Sequence, residues 1–182
     1  MTIGGLDVTI RTARPEDAAA IGQVYVETWR TTYAGMVPDN VLLEMSEEIQ
    51  GARWAGVIER DRELVTVAED ARLGVIGMGS GGRARRGSGF AAEVFTLYVA
   101  PDAQGAGIGR GILSNMFSTF RNAGLNSAII WVLAANPARF FYEAIGGERI
   151  SEREERLWGT NLPEIGYGWR DLGAALKGPL QG

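Results

Sequence analysis

The sequence contains no cysteine and no histidine among its 182 residues. Without cysteine, disulfides, thiolate nucleophiles and thiolate metal sites are excluded. Without histidine, Ser–His triads, histidine bases and the common zinc motifs are excluded as well. Proton transfer must therefore use carboxylates, tyrosine, lysine, water or the backbone, and no metal site is expected.

Long apolar runs are also missing, since no segment of about 18 apolar residues occurs and no spanning helix is expected. The N-terminus lacks the basic-then-apolar order of a secretory signal. The formal charge of −4 argues against a broad nucleic-acid footprint. We therefore expect one soluble cytoplasmic domain over residues 1–182, with neither nucleic acid nor membrane as a partner.

Apolar patterning predicts the element order β-α-α-β-β-β-α-β-α-β-β. Strands are expected at residues 8–13, 64–70, 73–81, 91–100, 127–133, 148–158 and 164–170. Helices are expected over residues 15–28, over 41–60 with a break near Ser46 or Gly51, from the glycine loop to Gly124, and from Pro137 to Gly146.

Three alternate glycines (Gly105, Gly107 and Gly109) connect the strand at 91–100 to the next helix. Free amides and the helix dipole attract anions there, and glycines let phosphate oxygens approach the backbone. The Rossmann spacing G-x-G-x-x-G fails, because its third glycine would fall on Arg110 or Ile112. A P-loop fails too, since no Gly-Lys follows. The segment predicts a phosphate- or pyrophosphate-binding loop.

The motif Gln-x-x-Gly-x-Gly, preceded by "LYVAP" and followed by "ANPARFFYEAIGG", resembles the GNAT superfamily of acyl-CoA-dependent N-acyltransferases. "VYVETWRTTYAGMVP" near the start matches more loosely. The resemblance implies an α/β (α+β) domain with a mixed central sheet of about seven strands, a splayed central pair and about four flanking helices. It also implies acetyl-CoA as the donor, no metal, and a homodimer.

The resemblance assigns site residues by position. The pyrophosphate of coenzyme A would lie on the loop of Gln104, Gly105, Ala106, Gly107, Ile108, Gly109 and Arg110. The preceding strand would bulge and offer backbone groups of Leu97, Tyr98 and Val99 to the pantetheine arm, with the Leu97 amide polarising the thioester carbonyl.

Asn136 and Tyr142 follow in the segment "NPARFFY". Asn136 before Pro137 is typical of a helix N-cap, and the resemblance adds a contact to the cofactor. By resemblance Tyr142 is also a cofactor contact and the general acid. A phenol with a pKa of about 10 can protonate a leaving thiolate. A tyrosine that only packs on the sheet is the alternative.

An acceptor amine with a lysine-like pKa of about 10.4 must lose a proton before it attacks. Glu93 is the candidate base, because it stands four residues before Leu97 and shares its face of an ideal strand. A solvated carboxylate at a strand start is the alternative, and Glu27 and Glu143 are lesser candidates. A bulge between Glu93 and Leu97 would change this parity.

The resemblance makes the first helix and its following loop one wall of the acceptor pocket, with Trp29, Tyr33 and Met36 as lining residues; core packing is the alternative. The predicted function is acetyl transfer to a primary amine by direct attack, with a small molecule such as a polyamine as acceptor. A non-catalytic acyl-CoA sensor is the alternative, and a nucleotide-phosphate binder is weaker.

Overall fold

The structure, a computed structural model, describes residues 2–3, 5–85, 87–157, 159–178 and 180. Within them the chain forms eight strands and six α-helices. The strands are β1 (Thr2–Ile3), β2 (Leu6–Thr12), β3 (Leu64–Asp70), β4 (Gly74–Arg83), β5 (Ala92–Val99), β6 (Ala128–Leu133), β7 (Glu148–Leu157) and β8 (Thr160–Trp169). The helices are α1 (Ala18–Thr32), α2 (Asp39–Leu43), α3 (Glu47–Arg60), α4 (Ile108–Asn122), α5 (Ala138–Ala144) and α6 (Leu172–Lys177).

All described strands belong to one sheet in the order β1-β2-β3-β4-β5-β6-β8-β7. Neighbouring strands are antiparallel except β5 and β6, which are parallel. A parallel pair needs a long crossover connection, and the glycine loop with α4 provides it. The predicted mixed sheet is confirmed, with eight strands among the described residues rather than about seven.

Two hydrophobic clusters cover the sheet, one on each face. On the face that we call the α1 face, α1 and α3 pack on β3 and β4 through Ile21, Trp54, Val67 and other apolar side chains. On the opposite α4 face, the apolar stripe of α4 packs on β3, β4 and β5 and against α6, in one cluster with side chains of β6 and β8. That stripe is the predicted one, since Ile112, Leu113, Met116, Phe117 and Phe120 are all buried.

Several element boundaries differ from the sequence-based prediction. The first helix continues to Thr32 rather than ending near residue 28. The helical region at 41–60 divides into α2 and α3, with Ser46 as N-cap: its Oγ accepts from the Ile49 amide at 3.3 Å. Gly51 lies inside α3, so the break is at Ser46.

The C-terminal hairpin is longer than the pattern indicated. β8 begins at Thr160 instead of residue 164, because β7 pairs with it along Glu154–Pro163 and up to Leu157–Thr160. Neither the two-residue β1 nor α6 was predicted. Trp158, the predicted end of the sixth strand, lies outside the described residues. None of the described helices is long and apolar enough to cross a bilayer.

Candidate active site

The parallel strands β5 and β6 pair over a short distance only. Their ladder comprises Ala92–Ala128, Glu93–Ile129 and Val94–Ile130. Beyond this ladder, β5 continues to Val99 and β6 to Leu133, but the described residues of these two strands no longer pair with each other. The space between residues 95–99 and 131–133 is here called the β5–β6 gap. This is the splayed central pair that the sequence analysis predicted.

A β-bulge in β5 decides which backbone groups face the gap. On β4, Ser80 pairs with Thr96 and Gly81 with Val94, so Phe95 is an extra residue in β5. Before the bulge, Ala92 turns its amide toward β6 and donates to the Ser127 carbonyl at 2.8 Å. An inserted residue reverses this alternation.

After the bulge, the odd-numbered residues face the gap. The Ala100 amide donates to the Ile76 carbonyl on β4 at 2.9 Å. Because hydrogen-bonded pairs alternate along an antiparallel ladder, Tyr98 also turns its backbone groups toward β4. Leu97 and Val99 therefore turn theirs toward the gap. Of the three predicted backbone contacts, the geometry leaves two facing it.

The glycine loop begins where β5 ends. A short 3-10 turn at Pro101–Ala103 leads into Gln104, whose Nε2 donates to the Val99 carbonyl at 3.0 Å. Gly105 has φ +76° and Gly107 φ +91°, backbone conformations that favour glycine. Ala106 is half-buried.

The loop delivers the N-terminus of α4 to the end of the gap. α4 starts at Ile108, which is 1% exposed and anchors the helix in the core. The first intrahelical bond runs from the Gly111 amide to the Gly107 carbonyl at 3.1 Å. The amides of Ile108, Gly109 and Arg110 thus have no acceptor within the helix. This is a site for anionic groups.

The second segment of the resemblance lies across the gap. The Asn136 side chain, 4% exposed, accepts from the Ala138 amide at 2.9 Å at the start of α5, whose N-cap residue is Pro137 rather than the predicted Asn136. Tyr142 in α5 is 5% exposed, with its ring 6.0 Å from Tyr167. Tyr142 is thus packed in the core, as one interpretation held, and its role as general acid stays a prediction.

Three tyrosines influence one another at the gap. Burial raises the pKa of Tyr142, and the nearby Tyr33 phenol raises it further. Burial also raises the pKa of Tyr33, while the side chains of Tyr98 and Asn136 lower it. Tyr98 likewise has its pKa raised by burial first and then by Tyr33. All three phenols therefore carry their protons at neutral pH.

An aromatic row on α1 forms one side of the gap. Tyr25 stacks on Trp29 with ring centroids 5.5 Å apart, and Trp29 contacts Tyr33 at 4.6 Å. Tyr98 joins the row through an edge contact with Tyr25 at 5.3 Å. Trp29, Tyr33 and the nearby Met36 are half-buried. The prediction singled out Trp29 and Tyr33 but missed Tyr25 and the Tyr98 side chain.

Glu93 lies on the α1 face, at the closed end of the gap. Ala92 and Val94 belong to the core of the α4 face, so the side chain between them points the other way. Leu97 packs with the α4 face and Tyr98 with the α1 face. The expectation that Glu93 and Leu97 share a face is therefore wrong, because the bulge at Phe95 reverses the alternation.

The Glu93 carboxylate is ion-paired with Arg85, a partner that sequence reasoning missed. Its side chain is 2% exposed, whereas that of Arg85 is 65% exposed. The Arg85 guanidinium donates to both carboxylate oxygens, and the Arg85 amide donates to Oε2 at 3.1 Å. The hydrogen bond with Glu93 raises the pKa of Arg85. The chain spacing of eight residues gave no signal for this pair.

The lesser base candidates lie elsewhere. Glu143 is exposed and accepts from the Tyr167 hydroxyl at 2.6 Å. Glu27 is exposed on α1 and lines a surface depression with Gln23 and Arg30. Among the described residues, no group of three or more carboxylates is placed to hold a metal ion.

A sheet that splays beside a glycine loop and a helix N-terminus defines a protein that binds an extended ligand with anionic groups. Residues 61–146 match the family model described as Acetyltransferase (GNAT) domain. A Bacillus subtilis (strain 168) protein named "Uncharacterized N-acetyltransferase YuaI" is 34% identical over 171 residues, which cover 93% of this chain and 96% of that protein. The chain belongs to the GNAT family and is an N-acetyltransferase.

Solved structures share the fold. An N-acetyltransferase from Staphylococcus aureus Mu50 matches with a TM-score of 0.71 and 20% identity, over 91% of this chain and 99% of that one. PaiA N-acetyltransferase from Thermoplasma acidophilum, in complex with coenzyme A, matches with a TM-score of 0.68 and 21% identity, over 88% of this chain and 98% of that one. The Salmonella typhimurium protein yncA, with its cofactor acetyl-CoA, matches with a TM-score of 0.69 and 24% identity, over 91% of this chain and 94% of that one.

Proposed function

We propose that this N-acetyltransferase takes an acetyl group from acetyl-CoA and transfers it to the primary amine of a small molecule, by direct attack in a ternary complex. The observation that carries the proposal is the β5–β6 gap, which opens directly beside the glycine loop. Two solved relatives of the same fold carry coenzyme A or acetyl-CoA.

The residues at the gap fit such a donor. The Leu97 backbone offers one donor and one acceptor along an open strand edge, which suits an extended amide-containing arm. The free amides of residues 108–110 and the positive φ of Gly105 and Gly107 suit a pyrophosphate. The Leu97 amide is the group that we assign to the thioester oxygen.

Acetyl-CoA supplies the acetyl group as a thioester. In the reaction the amine nitrogen forms a bond to the carbonyl carbon, the carbon–sulfur bond breaks, and the thiolate leaves with the electron pair. One proton leaves the amine and one reaches the sulfur. The chain must therefore remove a proton on one side of the carbonyl and supply one on the other.

Tyr142 is the residue that we assign to the sulfur side. Its phenol is neutral at neutral pH, because the ordinary phenol pKa of about 10 already lies well above that pH and burial raises it further. A neutral hydroxyl can donate a hydrogen bond to a developing thiolate and then the proton itself. Its buried position in α5, within electrostatic reach of the Tyr33 phenol, suits that role.

Glu93 remains the proposed base, acting through a water molecule. It lies on the α1 face, the same face as the aromatic row of the proposed acceptor wall. Because the Arg85 side chain occupies both carboxylate oxygens, base action includes a displacement of that exposed side chain.

The acceptor is proposed to lie between α1 and the gap, against Trp29, Tyr33 and Met36. Half-buried aromatic rings favour an amine that carries apolar or additional cationic groups. Polyamines and related amino compounds fit that description.

The test is a panel of polyamines, aminoglycosides, amino acids and a peptide with a free N-terminus. Free thiol and N-acetylated product are both measured with acetyl-CoA. We expect one amine class to give the two products in equal amounts, with far slower release for Tyr142→Phe. Saturable coenzyme A binding without product for any amine would contradict the proposal and favour a sensor.

A further inference from the structure

The Val99 carbonyl, at the end of the gap-facing edge of β5, accepts hydrogen bonds from two different elements. Gln104 Nε2 donates from the glycine loop at 3.0 Å. Thr28 Oγ1 donates from α1 at 3.4 Å. A carbonyl oxygen has two lone pairs, so both of its acceptor positions are taken by the chain itself.

The Thr28 hydroxyl departs from the usual behaviour of threonine inside a helix. Such hydroxyls commonly return to a carbonyl one turn earlier, as Thr31 does with the Glu27 carbonyl at 3.0 Å. Thr28 is 4% exposed and reaches across to the sheet instead. Its hydroxyl thus ties the helix that carries Trp29 to the strand that carries Leu97.

We propose that Thr28 and Gln104 are positioning residues, which act together through the Val99 carbonyl. Their bonds hold three parts in register: the loop assigned to the pyrophosphate, the Leu97 amide, and the wall assigned to the acceptor. Gln104 then acts on the donor through Val99 rather than by touching the phosphate. The inference rests on the proposed function, because coenzyme A is the ligand being positioned.

Because Thr28 and Gln104 donate to the same Val99 carbonyl, removing both donors should cost more than the two single removals together. Thr28→Val and Gln104→Met each remove one donor with little change in volume, and each leaves the carbonyl one partner. We expect each to weaken coenzyme A binding by about twofold, the low end for one hydrogen bond. The double variant removes both side-chain donors from the Val99 carbonyl, and we expect it to weaken coenzyme A binding by about 10-fold or more. The combined loss exceeds the product of the single losses.

Isothermal titration calorimetry with coenzyme A measures these affinities and needs no acceptor. Thr28→Ser keeps the hydroxyl donor and should bind coenzyme A as tightly as the wild-type protein. Thr31→Val and Gln23→Met are matched controls, since both residues are exposed and outside the site. Melting temperatures are measured in parallel, because a merely structural role would lower them without changing affinity.

Two results would overturn the inference. One is a double variant whose loss equals the product of the single losses. The other is a full loss in Gln104→Met with Thr28→Val unchanged, which would place Gln104 directly on the phosphate. Failure of the proposed function looks different, because the wild-type protein would then show no saturable binding of coenzyme A.

Discussion

Replacing Gly105 with alanine, which adds one methyl group, should weaken coenzyme A binding beyond its effect on folding stability. Gly105 has φ +76°, and a Cβ built there meets no atom within 4 Å, so it would project into open space at the loop. Gly124, just after α4, has φ +79° and equally open surroundings. Alanine at either position carries the same backbone strain, but only Gly105 borders the proposed phosphate site.

The expected losses in melting temperature and in coenzyme A affinity can be worked out for the two alanine variants. An L-residue in the left-handed region costs about 1–2 kcal/mol. In a domain of this size, each kcal/mol lowers the melting temperature by about 2–4 °C. Both variants should therefore lose about 2–8 °C. Gly105→Ala should also lose charge-assisted bonds to phosphate of about 1.5–3 kcal/mol, which weakens coenzyme A binding by about 10- to 100-fold.

Calorimetry with coenzyme A and thermal melting of the two variants provide the comparison. We expect equal melting temperatures and a large affinity difference. If Gly105→Ala and Gly124→Ala bind coenzyme A equally well, the loop does not hold the phosphates and the reasoning is refuted.

Three further predictions concern chemistry and stability. Tyr142→Phe should lower kcat by about 10²-fold with little change in coenzyme A affinity; an unchanged kcat with chemistry rate-limiting would remove Tyr142 from the reaction. Glu93→Gln should reduce kcat/KM most at low pH and least above about pH 11, where an amine with a pKa of about 10.4 is mostly neutral; a deficit independent of pH would count against this base. Hydrogen bonds from Arg11 at 2.7 and 2.9 Å hold the pKa of Asp17 below its usual range. That stability is present above the unfolded pKa of about 3.9 and is lost as pH falls below it. Asp17→Asn should thus lower the urea midpoint at pH 7 and flatten its drop toward pH 3, and an equally steep drop would contradict the assignment.

Much of the fold was predictable because periodicity and glycine punctuation are local signals. The stripe on α4, the strand before the glycine loop and the start of α5 near Pro137 were all predicted, since each depends on residues within one turn or one strand. β1 has two residues and α6 has six, too short for a periodic signal. The early part of β8 contains Pro163, and its strand conformation comes from pairing with β7.

The site was predictable in its backbone and less so in its side-chain partners. The glycine spacing located the loop, but the bulge at Phe95 depends on how β4 and β5 pair, which no local pattern reveals. The Arg85–Glu93 pair forms across a loop. Gly79 on β4 is another such feature: a Cβ there would lie 2.7 Å from Met116 Sδ, so glycine permits α4 to approach the sheet.

Amide chemical shifts during a titration with coenzyme A report which backbone groups the donor contacts. We expect the largest changes at Leu97, at Val99 and along residues 105–110, because these amides face the β5–β6 gap or the phosphates. The amides of α6, remote from the gap, should hardly move. Changes that saturate elsewhere, for example at the α1 depression around Gln23 and Glu27, with Leu97 and Gly107 unmoved, would contradict the account.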